Sequence, residues 1–94
     1  MDKVVVLDKP IAPGDVRCVQ ADKKPVAIWN IDGTYWAAED FCPHLGGPLS
    51  EGTVEGTCVT CPWHGAKFDI PSGKPIQGPA KRDLVRYQVT TPTE

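Results

Sequence analysis

Residues 41–65 read FCPHLGGPLSEGTVEGTCVTCPWHG, and this stretch decides what kind of fold the chain can have. It lies in a region dense in glycine and proline: of the nine Gly and ten Pro among the 94 residues, 13 fall between Cys42 and Pro79. Average usage gives about 11 such residues in a whole chain of this length. Since both residues disfavour helix interiors, this part of the chain is predicted to consist of loops and short strands.

The sequence on either side of this stretch favours strands over helices. Val, Ile and Thr total 22 residues against four Leu and one Met, a balance typical of pleated sheets. The dipeptide Asp32-Gly33 lies between two β-rich runs and predicts a tight hairpin, and a second hairpin is predicted around 52–56. The fold class is therefore all-β with long loops. Strands are predicted at 3–7, 16–20, 26–31, 34–38, 57–60, 66–69 and 84–91, and a loop at 71–81.

The length of the chain sets the number of domains. A chain of 94 residues and 10.2 kDa can fill only one hydrophobic core, so residues 1–94 are predicted to form a single domain. Its base is predicted to comprise 1–40 and 81–94, and the loop-rich part, 41–80, is inserted between the base strands.

Charge and hydropathy exclude several classes of protein. Ten Lys and Arg against twelve Asp and Glu leave no basic stripe for a phosphate backbone, so no nucleic-acid partner is expected. The longest apolar run near the start, Val4–Leu7, is too short for a signal sequence or a membrane span. We therefore expect a cytoplasmic protein with no membrane partner. Its four cysteines should stay reduced, which favours a metal site over disulfides.

Both histidines of the chain follow closely behind cysteines. The pairs are Cys42 with His44 and Cys61 with His64, and sixteen residues separate His44 from Cys61. Two short loops of this kind can direct four nitrogen and sulfur ligands at a common point. A purely structural role would have to hold for both histidines at once. A Cys₂His₂ zinc site is the stronger alternative, although zinc fingers usually pair Cys with Cys and His with His, whereas these ligands alternate.

In these two motifs the sequence resembles the Rieske family. The match consists of CPHLG at 42–46 and CPWHG at 61–65, and the similarity extends over about 41–80. The resemblance implies a domain of antiparallel sheets in which 41–80 is the cluster-binding part. It also implies one [2Fe-2S] cluster in which two histidines replace two cysteines on one iron.

The resemblance assigns a role to each ligand. Cys42 and Cys61 would hold the inner iron, and His44 and His64 the outer iron near the surface. Three apolar residues would cover the cluster. They are Leu45, Trp63 and Pro79.

Departures from the family pattern predict a low reduction potential. High-potential respiratory members carry an extra Cys pair between the cluster loops, where this chain has Gly47 and Trp63. They also have a Ser and a Tyr that donate hydrogen bonds to cluster sulfur, where this chain has Ala66 and Phe68. We therefore expect a midpoint potential near the low end of the class, about −150 mV.

The combination resembles the small ferredoxins of bacterial ring-hydroxylating oxygenases. That resemblance implies a monomeric one-electron carrier between a flavin-containing reductase and a terminal oxygenase, and not an enzyme. One alternative is the small Rieske subunit of an NADH-dependent nitrite reductase. A second, from another class, is a zinc-stapled structural module.

Two further expectations concern residues outside the motifs. Cys18 and Cys58 have no partner motif and are expected to be small buried apolar residues. The resemblance implies a further hairpin strand after Val89, but only Pro92-Thr93-Glu94 remains there. The sheet edge is therefore expected either to lack its last strand or to be covered by the N-terminal strand.

Overall fold

The computed structural model of the protein describes residues 4–21, 23–40, 48–62, 66–77 and 83–90. No α-helix occurs in these residues, so the all-β prediction is confirmed, and none of their helical turns could cross a membrane. The strands are β1 (Val4–Val6), β2 (Val16–Ala21), β3 (Lys24–Ile31), β4 (Thr34–Glu39), β5 (Thr53–Glu55), β6 (Cys58–Thr60), β7 (Lys67–Asp69), β8 (Pro75–Gln77) and β9 (Arg86–Thr90), with one 3₁₀ turn at Leu49–Glu51.

Five strands form the first sheet, in the order β1-β9-β4-β3-β2. Strands β3 and β4 are joined by the predicted hairpin turn, in which Asp32 has a φ of 54° and Gly33 a φ of 89°. Two successive positive φ angles are the geometry that Asp-Gly favours and that matches the twist of the flanking strands. The hairpin places Trp29 directly opposite Trp36, so the two indole rings form a cross-strand pair.

The edge beyond β9 is covered by the N-terminal strand. Strand β1 pairs with β9 in parallel, with Val5 opposite Val89, and the N–H of Leu7 donates to the carbonyl oxygen of Thr90 at 2.9 Å. On its other side β9 pairs with β4 in the antiparallel sense. Of the two expectations for this edge, the second is therefore confirmed.

Four short strands form the second sheet as an antiparallel meander, β5-β6-β7-β8. The prediction that residues 71–81 form a loop is wrong at β8. Pro75 lies at the start of this edge strand, where a residue without an N–H is tolerated. The pairing of β8 with β7 is interrupted by a bulge, so the segment has neither the length nor the alternation of an ordinary strand.

Strand β3 is buried on both faces because a core lies on each side of it. Ala27 and Trp29 face a core shared by the two sheets, which includes Phe68 from β7. Val26 and Ile28 face a second core under β1 and the segment that follows it. This explains why Val26–Asn30 is buried at every position, whereas the strands at the sheet edges alternate.

Candidate metal centre

Three segments of the chain leave the four-stranded sheet at the same end. Cross-strand partners define this end: Thr53 pairs with Thr60, Thr60 with Lys67, and Lys67 with Gln77. The chain enters β5, crosses from β6 to β7 and leaves β8 at this row of residues. The segments concerned contain both predicted ligand motifs and Pro79.

Cys61 is the predicted ligand that falls within the described residues. It follows the last residue of β6 and is only 1% exposed. Its N–H donates to the carbonyl oxygen of Ala66 at 2.7 Å, and this bond closes the base of the loop that contains the C-x-x-H motif. The two described ends of this connection are therefore held together, and Cys61, the first predicted ligand of the motif, is buried in the protein.

The surroundings of Cys61 are apolar. It belongs to the core shared by the two sheets, where Leu49, Val59, Ala66 and Phe68 are each fully buried. The side chains of these neighbours carry no hydrogen-bond donor. A metal centre held by Cys61 would therefore be shielded from water on its inner side by hydrocarbon.

A carboxylate clamp closes the segment that contains the first motif. The buried carboxylate of Asp40 accepts the backbone N–H of Ser50 at Oδ1 and the hydroxyl of Ser50 at Oδ2, each at 2.6 Å. Asp40 directly follows β4, and Ser50 lies in the 3₁₀ turn before β5. The two charge-assisted bonds therefore fix both ends of the segment 41–47 relative to each other.

The backbone also approaches itself closely beside this clamp. A Cβ placed on Gly52 would overlap the carbonyl oxygen of Thr60, so only glycine fits where the chain enters β5. The N–H of Gly52 donates to the carbonyl oxygen of Leu49 at 2.9 Å. Together these contacts place Gly52, where the chain enters β5, against Thr60, the residue before Cys61.

The other predicted site residues lie outside the described residues. They are Cys42, His44, Leu45, Trp63, His64 and Pro79. Within the described ranges, no group of three or more His, Cys, Asp or Glu residues could hold a metal ion. The assignment of ligands to individual irons therefore stays a prediction.

Sequence reasoning missed Asp40 and Ser50. Ten residues separate them, and neither belongs to a turn or capping motif that would link the two positions. A partial signal existed, since Asp40 lies two residues before Cys42, the first residue of the predicted ligand motifs.

The expectation that Cys18 is buried is wrong. Strand β2 is an edge strand, and Cys18 lies on its exposed face. Neighbouring residues nevertheless displace part of the water from the Cys18 thiol, which disfavours the charged thiolate. The contact of this thiol with the Asp40 carboxylate disfavours the thiolate further. These effects raise the pKa of Cys18 from 9.0 to about 11.

Cys58 also departs from the expectation of burial. It is half-buried on the outer face of the four-stranded sheet, because its neighbour Val59 takes the inward position. It lies three residues from Cys61 and faces away from the core that contains Cys61.

Comparisons with known proteins agree with this geometry. Residues 2–88 match the Rieske [2Fe-2S] domain family. The ferredoxin component of the naphthalene 1,2-dioxygenase and salicylate 5-hydroxylase systems of a Ralstonia species is 33% identical over 79 residues, which are 84% of this chain and 76% of the relative.

Two solved structures bear on the function. The first is a complex of reduced oxygenase and oxidised ferredoxin in carbazole 1,9a-dioxygenase; the match has 36% identity and a TM-score of 0.73, and it covers 77% of this chain and 68% of the matched one. The second is a putative nitrite reductase small subunit, with 26% identity, a TM-score of 0.71 and coverage of 85% and 80%. The predicted ferredoxin function and the [2Fe-2S] cofactor are confirmed, and the chain belongs to the Rieske [2Fe-2S] domain family.

Proposed function

We propose that this protein is the ferredoxin that carries single electrons from a flavin-containing reductase to a terminal oxygenase that hydroxylates aromatic rings. The observation that carries the proposal is that the chain enters β5, crosses from β6 to β7 and leaves β8 at one end of the four-stranded sheet, where Cys61 is buried. The dioxygenase ferredoxins among its relatives support the assignment of the partners.

Four residues are proposed to hold the cluster. Cys42 and Cys61 would bind the inner iron, and His44 and His64 the outer iron. The surroundings of Cys61 fit this role. An apolar wall disfavours a thiolate with an uncompensated charge, whereas it can hold a thiolate that is bound to a metal–sulfur centre. When bound, the cluster supplies one-electron storage at an outward-facing edge.

The residues around the loops would hold this centre and keep water away from it. Leu45, Trp63 and Pro79 are proposed as its outer cover, complementing the buried inner wall of Ala66 and Phe68. Because neither wall residue donates a side-chain hydrogen bond, little would stabilise added negative charge on the sulfurs. The midpoint potential should therefore be about −150 mV, and a redox titration that gives a clearly positive value would refute this.

The same residues support a carrier and not an enzyme. The chain has two histidines, and both are assigned to the cluster, so no 2-His-1-carboxylate iron site can be formed. In each cycle the protein would accept one electron from the reductase and give one electron to the oxygenase. We further propose that it acts as a monomer in the cytoplasm, and gel filtration of the holoprotein checks the oligomeric state.

The test is a reconstitution with defined components. The holoprotein should contain two irons and two acid-labile sulfides per chain and should give the EPR signal of a reduced Rieske cluster. It should also support substrate hydroxylation by the oxygenase of the carbazole or naphthalene system when that system's reductase is present. Zinc without iron would refute the cluster assignment and favour the zinc-stapled module.

The second candidate function is that of a nitrite reductase small subunit. The similarity to the putative small subunit of such an enzyme favours it. Copurification separates the two functions: association with a large nitrite-reducing subunit would replace the oxygenase proposal, whereas reduction of an oxygenase by the free protein would support it.

A further inference from the structure

Asp40 is a buried carboxylate whose recorded partners are all uncharged. Ser50 donates its backbone N–H to Oδ1 and its hydroxyl to Oδ2, and the thiol of Cys18 contacts the same carboxylate. No Lys or Arg of the described ranges forms an ion pair with it. All three facing groups are hydrogen-bond donors, which suits the ionised carboxylate because that form only accepts hydrogen bonds.

This burial is exceptional within the described part of the chain. Among its Asp, Glu, Lys and Arg residues, only Asp40 is buried, at 7% exposure. A buried charge without a counter-ion is unfavourable. A neutral asparagine could make the same two bonds to Ser50, with its oxygen accepting the N–H and its amide donating to the hydroxyl. Fastening the backbone therefore does not require the negative charge, so the charge itself needs a further role.

The charge lies beside the proposed cluster site. The carboxylate is bonded to Ser50, and the next residue, Leu49, belongs to the same buried core as Cys61. In the sequence Asp40 lies two residues before Cys42, and two residues of extended chain span at most about 7 Å. The two cysteines proposed to hold the inner iron are thus the ligands nearest to this charge.

The surroundings give the charge a long reach. The core residues around Cys61 are hydrocarbon, and Asp40 itself is almost closed to water. Electrostatic interactions weaken less with distance in such a medium than in water, and dissolved salt screens them less. Reduction of the protein adds one negative charge to this region. A fixed negative charge nearby must therefore oppose reduction.

We propose that the buried carboxylate of Asp40 lowers the reduction potential of the [2Fe-2S] centre by its charge, and that Ser50 holds this charge in place. The proposal rests on the ferredoxin function and the ligand assignment proposed above. It adds a second cause of low potential to the lack of side-chain donors at Ala66 and Phe68. A lower potential makes the reduced protein a stronger electron donor to its partner.

The experiment compares Asp40→Asn with a matched control, Asp69→Asn. Ser72 donates its N–H and its hydroxyl to Asp69, as Ser50 does to Asp40. Asp69, however, is only half-buried and lies at the other end of the four-stranded sheet. Both substitutions preserve the shape of the side chain and take the net charge from −2 to −1.

The readout is the midpoint potential of each holoprotein at pH 7, from a redox titration followed by EPR. One unit charge at about 10 Å, with an effective dielectric constant of about 20, changes an equilibrium constant about tenfold. Asp40→Asn should therefore favour reduction about tenfold, which raises the midpoint by about 59 mV. The rise should persist at about 0.5 M salt, whereas Asp69→Asn should shift the equilibrium less than about twofold. Unchanged g values verify that the iron ligands are the same.

A second variant separates the charge from the fastening of the loop. Ser50→Ala removes a donor from Asp40 and leaves the charge less compensated, so it should lower the midpoint, by about threefold in the equilibrium constant. Ser72→Ala is its control and should have little effect. Loosening of the loop would be common to Ser50→Ala and Asp40→Asn, whereas the charge predicts shifts of opposite sign.

Each outcome decides a different claim. If Asp40→Asn behaves like Asp69→Asn, or if Ser50→Ala raises the potential as well, the role of the charge is refuted while the ferredoxin function stands. If Asp40→Asn takes up no cluster, Ser50→Ala decides: a lower potential supports the proposal, and an unchanged or higher one refutes it. If the unaltered protein holds zinc and no iron–sulfur cluster, the function proposed above fails, and this proposal fails with it.

Discussion

Replacing Ser50 with alanine should loosen the first predicted cluster loop. The hydroxyl of Ser50 donates to Oδ2 of Asp40 at 2.6 Å, within the range of a charge-assisted hydrogen bond. Asp40 is only 7% exposed, so water cannot easily replace the lost donor. A bond to a charged group contributes about 1.5–3 kcal/mol, and about 2 kcal/mol corresponds to a 30-fold shift in the equilibrium for opening the base of the loop.

The assay follows the cluster directly. The holoprotein is mixed with an iron chelator under mild heating, and the loss of visible absorbance gives the rate of cluster release. If opening of the clamped segment precedes release, Ser50→Ala should release the cluster about 10- to 30-fold faster. Ser50→Thr keeps a hydroxyl and should restore most of the lost lifetime.

A matched control lies at the other end of the same sheet. Ser72 donates its N–H and its hydroxyl to Oδ2 of Asp69, at 3.1 and 2.7 Å, in the turn between β7 and β8. Ser72→Ala removes the same kind of bond away from the loop end, so it should leave the release rate within about twofold of the unaltered protein. Equal acceleration by Ser50→Ala and Ser72→Ala would show that the Asp40 clamp has no specific role at the loop.

Three further predictions concern other parts of the fold. Gly52→Ala should lower the melting temperature and the cluster content, because its Cβ overlaps the Thr60 carbonyl oxygen; a fully loaded variant of unchanged stability would contradict this. Hydrogen bonds, chiefly from the Ser72 hydroxyl, hold the pKa of Asp69 below its ordinary 3.8. Their stabilisation is present above that value and is lost as pH falls through the lower folded pKa. Asp69→Asn should therefore lower the melting temperature at neutral pH and much less at acid pH, and a pH-independent difference would refute the assignment. With a pKa of about 11, Cys18 should react with iodoacetamide at pH 8 about 100-fold more slowly than an unstructured cysteine peptide, and equal rates would refute the shift.

The features that could be predicted from the sequence are those fixed by local chemistry. Asp32-Gly33 specifies its hairpin because few other residues tolerate two successive positive φ angles. The position of Cys61 at the end of a strand follows from the alternation of Cys58–Thr60 and the proline after it. In both cases a few neighbouring residues carry the whole signal.

The features that could not be predicted depend on distant contacts. Asp40 and Ser50 are joined only because β4 and the 3₁₀ turn come together in the fold. Cys18 was misplaced because alternation shows that a strand has two faces and does not show which face an edge strand leaves open. Strand β8 was missed because Pro75 and the bulge at Ile76 hide its pattern, although its pairing with β7 is clear in the structure.

The missed strand β8 explains why three loops can meet at one centre. In an antiparallel meander, successive connections alternate between the two ends of the sheet. The short turns at 56–57 and 70–74 therefore lie at one end, and the entry to β5, the connection 61–66 and the exit from β8 lie at the other. With three strands, the chain would leave the sheet at the opposite end, and the segment containing Pro79 would start away from the two ligand motifs. The fourth strand returns the chain to the loop end, which makes a third covering loop possible and also places Ile76 at the edge beside it.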